Sequence, residues 1–356
     1  MGSIPIGATM ITPIHWGEHA LATTLDQMLA QHEQVFLLLD ENVLEFCYPK
    51  LLAICPALKK AEVIEIESGE AQKNIDIATQ LWEMLTQHQA TRKSLWINLG
   101  GGVVSDLGGF VAATYKRGID FVQIPTTLLA QVDASVGGKQ AIDFLDYKNQ
   151  IGVFAMPKAV FIHADFLDTL PDNHLLAGFM EMVKHALILD KAYWQDLQHL
   201  QIDTVADLLP LIQRSVEIKQ SVVAQDPTEL GLRKCLNFGH TFGHALETLL
   251  MHSENPLLHG EAVGLGMILE TKLSAHLGFL PQAEATAIIA YLEKRLAHLL
   301  PILEKIDIQA LLPLLLQDKK NTNTEQISFV LLKGIGSFIL DISLDANAIH
   351  AYSPQA

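Results

Sequence analysis

Between Gln34 and His163 the chain alternates short β-rich runs with segments of helical spacing. "QVFLLLD" (34–40), "AEVIEIE" (61–67), "SLWINL" (94–99), "FVQIP" (121–125) and "AVFIH" (159–163) read as strands. Most are near-continuously apolar. Such a strand must be covered on both faces, which is the condition of a parallel sheet flanked by helices. Helical patterns such as "NIDIATQLWEMLTQH" (74–88) supply the cover. This rhythm predicts an α/β, doubly wound domain, whose ligands sit beyond the carboxyl ends of the strands.

After Pro171 the spacing turns helical: "HLLAGFMEMVKHALIL", "TVADLLPLIQRSVEIKQSVVAQ", "HTFGHALETLL", "HGEAVGLGMILETKLSAHLG" and "AEATAIIAYLEKRLAHLL". Near the end "QISFVLLKGIGSFILDIS" predicts a hairpin around Gly334 and Gly336. With 356 residues, two domains are expected. They are the doubly wound α/β domain over 1–172 and a mostly α-helical domain over 173–356. A helical domain beyond the carboxyl edge of the sheet would form a cleft.

The formal net charge of −16 disfavours nucleic acid and anionic membranes as partners. It leaves room for a small anionic ligand. Ten of the 24 Lys and Arg residues lie in or beside motif-like stretches: Lys116, Arg117, Lys139, Lys148, Lys184, Lys219, Arg233, Lys234, Lys319 and Lys320. They form either a local cationic pocket or a scatter of surface charge. The longest apolar runs are too short to span a bilayer, and the first residues lack a signal-peptide pattern, so a cytoplasmic location is expected. Cys47, Cys55 and Cys235 give no disulfide or zinc-ribbon spacing and read as small buried hydrophobes.

Two stretches carry chemistry. "INLGGGVVSDLGGF" follows a strand and opens a helix, where backbone N–H groups and the helix dipole suit a phosphate. Its spacing is neither GxGxxG nor a Walker A loop, and a tight strand–helix corner without ligand explains it equally well. "LNFGHTFGHALE" (236–247) places His240 and His244 on one helix face, each preceded by a glycine. Glycine costs a helix interior about 1 kcal/mol relative to alanine, so the backbone is expected to be closely approached there, by an ion or by another helix. HExxH is absent, since Thr241 stands where it needs Glu. His259 heads another expected helix, and Glu181 sits in an apolar one with Lys184 a turn on. A carboxylate and imidazoles suit zinc, while an i, i+3 ion pair and ordinary core or surface histidines remain open on spacing alone.

In order and spacing, "GGGVVSDLGGFVAATYKRGIDFVQIPTTLLAQVDASVGGK", "YKNQIGVF", "GFMEMVKHALI", "RKCLNFGHTFGHALE", "HGEAVGLGM" and "DKK" closely resemble the 3-dehydroquinate synthase family over nearly the whole chain. The resemblance implies a Rossmann-like NAD-binding domain, a helical domain, bound NAD, a catalytic zinc (or cobalt) and a homodimer. The implied reaction turns 3-deoxy-D-arabino-heptulosonate 7-phosphate into 3-dehydroquinate and phosphate, the second step of the shikimate pathway. It would run through transient oxidation, phosphate elimination, re-reduction and an intramolecular aldol step.

Carried over by motif, the metal ligands are Glu181, His240 and His259, whereas His244 faces the substrate phosphate. The substrate positions are Asp133, Lys139, Lys148, Asn149, Lys184, Lys219, Arg233, Asn237, His244 and one or both of Lys319 and Lys320. Arg117 matches an arginine that the family sends across the dimer interface. Lys139, Lys184, Arg233, Asn237 and His244 are the implied catalytic positions. Those implied for the cofactor are Asp40, Asn42, Glu70, Lys73, Gly101, Gly102, Asp106, Thr126, Thr127, Lys139, Lys148 and Thr169. Two stretches depart from the family pattern. Ser105 replaces a usual glycine, and being small it should leave the helix start intact. "GGKQAID" puts Gln140, Ala141 and Asp143 where Thr, Gly and Asn are usual. Asp143 needs a cation near a phosphorylated substrate, and Lys148 is the expected one.

Two neighbouring activities compete. A sugar-phosphate cyclase of the same fold acting on a substrate without a carboxylate would not need Lys219, Arg233 and Asn237, which are all present. A metal-dependent alcohol dehydrogenase would lack the lysine and arginine set and would release NADH.

Overall fold

The computed structural model describes residues 11–145, 147–200, 208–317 and 326–351. The chain divides into two compact units: Met1–Pro171 with Thr204–Thr228, and Asp172–Asp203 with Glu229–Ala356. The helix Leu209–Gln225 therefore groups with the first unit, although a single cut at residue 172 puts it in the second. Its polar contacts explain this. Lys219 Nζ donates to both the carbonyl and Oδ1 of Asp133, each at 2.7 Å, and Gln220 donates to the Thr12 carbonyl at 3.1 Å. Hydrophobic spacing tells that a helix is amphipathic but not which domain it packs on.

The first unit is built on strands β1 (Ile14–Trp16), β2 (Val35–Asp40), β3 (Glu62–Ile66), β4 (Leu95–Gly100) and β5 (Asp120–Pro125). There follow an antiparallel hairpin, β6 (Lys139–Phe144) and β7 (Tyr147–Phe154), and then β8 (Ala159–Ile162). Six strands form one parallel sheet in the order β1-β8-β5-β4-β2-β3. All five expected strands are present. The three-residue β1 is too short to show a pattern, and β6 hides its alternation because one of its inward positions is the polar Gln140.

Side chains alternate between two cores, as a sheet covered on both faces requires. Phe36, Leu38, Trp96 and Phe121 share one core with residues of α1 (Ile75–Gln87) and α2 (Gly102–Thr114). Leu37, Leu39, Ile97, Leu99, Val122 and Ile124 pack on the other face with Leu21, Leu25, Leu51 and Leu58. Cys47 and Cys55 belong to that second core, and all three cysteines are buried and free. From β2 the chain runs outward to β3, then returns to lay β4 on the other side of β2. The strand order thus reverses between β2 and β4, the position at which ligands of such sheets bind.

The second unit is organised by α3 (Asp172–Leu189), α4 (His240–Leu250) and α5 (His259–His276), with the expected hairpin as β9 (Gln326–Gly334) and β10 (Ser337–Asp345). α5 is buried almost throughout from Gly260 to Ser274. Its glycines set how near its neighbours come. A Cβ on Gly260 would stand 1.9 Å from the Ala177 carbonyl oxygen of α3, and one on Gly266 would stand 2.0 Å from the Gly239 carbonyl oxygen. From the other side, a Cβ on Gly243 would lie 3.1 Å from the Ala262 carbonyl oxygen. The glycines before His240 and His244 therefore serve helix packing. Gly239 adds a conformational need, capping α4 at φ +80°.

Among the described residues no helix is long and apolar enough to cross a membrane. We expect Gly266→Ala to destabilise the second unit by about 3 kcal/mol, because the contact it invades is backbone and has no rotamer to yield. Urea denaturation checks this, and a change below about 0.5 kcal/mol would contradict the packing described.

Candidate active site

Three helices bring one polar side chain each to a common point. Glu181 on α3 is fully buried. His240 opens α4 and His259 opens α5. His240 Nε2 lies 3.7 Å from Glu181 Oε1, and His259 Nε2 lies 3.8 Å from the same oxygen. These separations are too long for hydrogen bonds. They resemble the spacing between ligands of a shared ion, since two atoms each about 2 Å from a tetrahedral zinc stand about 3.3 Å apart. One ligand atom from each residue lies within 4.8 Å of the others.

The far sides of the imidazoles fix their orientation. His240 Nδ1 lies 3.2 Å from the Phe238 carbonyl oxygen, and His259 Nδ1 lies 3.2 Å from Glu247 Oε2. With Nδ1–H donating in each, both Nε2 lone pairs are turned towards Glu181, the arrangement that orients histidine ligands of metals. Glu181 Oε2 is ion-paired with the buried Lys184, while Oε1, which faces both imidazoles, accepts no hydrogen bond among the described residues. A buried carboxylate in this state fits a divalent cation.

A second buried carboxylate holds α4 in place. Glu270 on α5 is fully buried and accepts from the backbone N–H groups of Gly239 at 2.5 Å, Thr241 at 3.0 Å and Phe242 at 3.3 Å. These are the donors that a helix start leaves unsatisfied, and a negative charge there also suits the dipole. Sequence reasoning missed both Glu247 and Glu270. The signal was present: Glu247 lies one turn beyond His244 on its face, and Glu270 is a carboxylate in the apolar middle of a helix, as Glu181 is.

Other expected residues lie nearby in the second unit. His244 is one turn from His240 with ring centroids 5.2 Å apart, and 5.9 Å from His259. Arg233 and Asn237 share the 3-10 helix Leu232–Asn237, where Arg233 is buried and Asn237 donates to Glu229 at 2.6 Å. Lys319 and Lys320 lie outside the described residues.

The first unit gathers the rest. The glycine-rich turn ends β4 and starts α2, with Gly101 as N-cap. Thr126 donates its N–H to the Gly100 carbonyl at 3.0 Å, and a Cβ on Gly101 would meet the Thr127 methyl at 3.0 Å. Ser105 is buried inside α2 and donates its N–H to Gly101, so the helix starts as expected. Asp40 ends β2 and accepts from Val43 N–H at 2.9 Å, and Asn42 is exposed in the same helix. Asp40 and Gly101 therefore flank the reversal in strand order, and this supports a dinucleotide there. Thr169 is exposed at the end of the 3-10 helix Ala164–Thr169, and Lys139 is exposed at the start of β6. Arg117 is exposed on a left-handed turn at φ +68°.

Four more residues form a charged cluster around the buried Lys73. Its Nζ stands 2.5 Å from Glu70, 3.6 Å from Asp106 and 3.6 Å from Asp143, and Lys148 stands 3.4 Å from Glu70. Burial alone would lower the Lys73 pKa, but Glu70, Asp106 and Asp143 together raise it above its usual value. The cation at 3.6 Å from Asp143 is Lys73, not the expected Lys148, which acts on it more weakly. Burial pushes the Asp106 carboxyl up to about 6, with Lys73 opposing and Glu70 adding to the rise. The Asp143 carboxyl is pushed to about 6 by the same burial, opposed first by Lys73.

A family model described as 3-dehydroquinate synthase N-terminal matches residues 63–177, and one described as 3-dehydroquinate synthase C-terminal matches residues 178–321. The chain belongs to the 3-dehydroquinate synthase family. A 3-dehydroquinate synthase of Parabacteroides distasonis is 40% identical over 321 residues, covering 90% of each chain. Two solved sugar-phosphate cyclases share the 3-dehydroquinate synthase fold seen here. A 2-deoxy-scyllo-inosose synthase, complexed with carbaglucose-6-phosphate, NAD+ and Co2+, matches at a TM-score of 0.83 and 25% identity, covering 95% of both chains. A 2-epi-5-epi-valiolone synthase from Streptomyces hygroscopicus, with NAD+ and Zn2+ bound, matches at 0.85 and 25%, covering 99% of this chain and 97% of that one.

The raised Asp106 pKa sets a pH dependence. Between the unfolded value of 3.8 and the native value of about 6, the unfolded chain has released a proton that the native state still holds. Stability therefore falls as pH rises through that window. We expect the stability of Asp106→Asn relative to the parent, measured without NAD, to rise from pH 4 to about pH 6 and then level off. A difference that does not vary with pH in urea denaturation would contradict the shift.

Proposed function

We propose that the protein converts 3-deoxy-D-arabino-heptulosonate 7-phosphate into 3-dehydroquinate and phosphate. The observation that carries this reading is the convergence of Glu181, His240 and His259 in a chain whose curated relatives are named for this activity. In the proposal these three residues hold a divalent cation, zinc or cobalt. Asp40, Gly101, Gly102, Thr126 and Thr127 cradle NAD at the reversal between β2 and β4. When bound, the two groups supply a reversible hydride acceptor and a charge that polarises a hydroxyl.

The chain's own residues bind and orient. Arg233 presents a planar fork suited to the substrate carboxylate, with Lys139 as a second cation. Lys148, Asn149 and His244 take the phosphate, the group that leaves once the neighbouring C–H has been acidified by a ketone. Lys219, fixed by Asp133, and Lys184, fixed by Glu181, supply positive charge where substrate oxygens become negative. Holding the opened chain in place favours the final intramolecular aldol closure. The sum of the steps is redox-neutral.

We place the protein in the cytoplasm as a homodimer, without nucleic-acid or membrane partners. The hairpin β6–β7 supports the dimer by exposing Phe144, Leu145, Tyr147, Ile151 and Phe154. A set of large apolar side chains on one hairpin suits burial against a second copy. Arg117 would then reach the partner's phosphate.

Purified protein given zinc and catalytic NAD is expected to release phosphate and form dehydroquinate without accumulating NADH. Turnover confined to non-carboxylated sugar phosphates would replace this reading with another cyclase. Arg233→Ala is expected to cost at least about tenfold in kcat/KM, or about 1.4 kcal/mol of transition-state stabilisation. Glu181→Ala and His259→Ala should lose bound metal, whereas His244→Ala should keep it and bind phosphate less well. For the dimer, light scattering should give twice the 39.2 kDa chain mass. Phe154→Asp should return that mass to a single chain, and a monomeric parent protein would refute the assembly.

A further inference from the structure

The hairpin β6–β7 is stitched to the segment before α1 through one residue. Asp143 Oδ1 accepts the backbone N–H of Asn149 at 2.7 Å, and its own N–H donates to the Lys73 carbonyl at 2.7 Å. Lys73 Nζ lies 3.6 Å from the same Oδ1, and Glu70 links Lys73 to Lys148 at 2.5 and 3.4 Å. Since Lys148 and Asn149 are adjacent, Asp143, Lys73, Glu70, Lys148 and Asn149 close a ring. Asp143 stands where the pairing of the two strands shifts register, between Ile142 and Phe144. Asn149 is held at φ +52°, a left-handed conformation uncommon outside glycine and tolerated best by asparagine and aspartate. The Asp143 carboxylate holds the N–H of the residue in that conformation.

We propose that Asp143 is a positioning residue for the Lys148–Asn149 pair: by accepting the Asn149 N–H it holds both side chains at the attitude needed to take an anionic phosphate. The inference rests on the phosphate-binding role given to that pair above. It turns the departure at position 143 from a repulsive charge into a support, because Asp143 faces the Asn149 backbone and Lys73. The other charged groups of the cluster are Glu70, Asp106 and Lys148. The acceptor oxygen is the essential feature, so an amide in its place should do the same work.

The test compares Asp143→Asn, which keeps the oxygen, with Asp143→Ala and Asp143→Ser, which remove it or draw it out of reach. Thermal midpoint and zinc content serve as folding controls, and the serine variant stands in if alanine does not fold. In steady-state kinetics the alanine variant should raise KM for the heptulosonate phosphate at least about tenfold and leave kcat within about threefold, and asparagine should restore KM to within about threefold of the parent. Calorimetry with inorganic phosphate in the presence of NAD should give the same ranking of Kd. An unchanged KM in alanine, a loss confined to kcat, or a failure of asparagine to rescue would each overturn the proposal. If the parent protein does not turn over the heptulosonate phosphate, the reading of function falls. The phosphate Kd values then decide this inference by the same ranking, and absence of phosphate binding to the parent overturns it.

Discussion

Close contact among three helices at glycine is the constraint on which the second unit depends. Helices packed through ordinary side chains stand about 8–10 Å apart. Gly260 lets α5 meet the backbone of α3, and Gly266, Gly239 and Gly243 let it meet α4. Glutamate and histidine have short, fixed reaches. Wider spacing would leave Glu181, His240 and His259 unable to share an ion. The same glycines put the first residues of α4 and α5 side by side, so both imidazoles extend from helix starts towards one carboxylate.

Burying carboxylates in such a core is unfavourable unless each has defined partners. Glu270 caps three backbone N–H groups of α4, Glu247 faces His259, and Glu181 faces Lys184 and the two histidines. Each carboxylate therefore fixes something the site needs: the start of α4, the orientation of one ring, and a ligand position. An acidic chain with a net charge of −16 can in this way build a site for an anionic substrate. Its negative charges near the site are committed to internal partners, and its buried cations among the described residues, Lys73, Lys184, Lys219 and Arg233, all lie among the expected site residues.

The first unit uses charge differently. Glu70, Asp106 and Asp143 surround Lys73, with Lys148 at the edge of the cluster. Three carboxylates against two ammonium groups leave the cluster short of positive charge, and burial raises two of the carboxyls to about 6. The cluster spans the segment before α1, the middle of α2 and the hairpin. These elements are distant in sequence, and they carry residues that the family resemblance divides between cofactor and substrate.

Much of this was legible from sequence. The five apolar runs required a covered parallel sheet, and each lies in the six-stranded sheet. The motif order pointed to the family, and the i, i+4 spacing put His240 and His244 on one face. Short-range pattern could not assign Leu209–Gln225 to a unit, because that depends on where Lys219 and Gln220 find partners. Nor could it say whether the glycines beside the histidines served an ion or a helix. Distance between segments far apart in the chain decided that in favour of α5, and decided too that Asp143 faces Lys73 and the Asn149 backbone. Sequence determines which groups a chain owns and on which face of an element each one lies. Only folding determines which elements meet, because the free energy of burial depends on area and shape gathered from the whole chain.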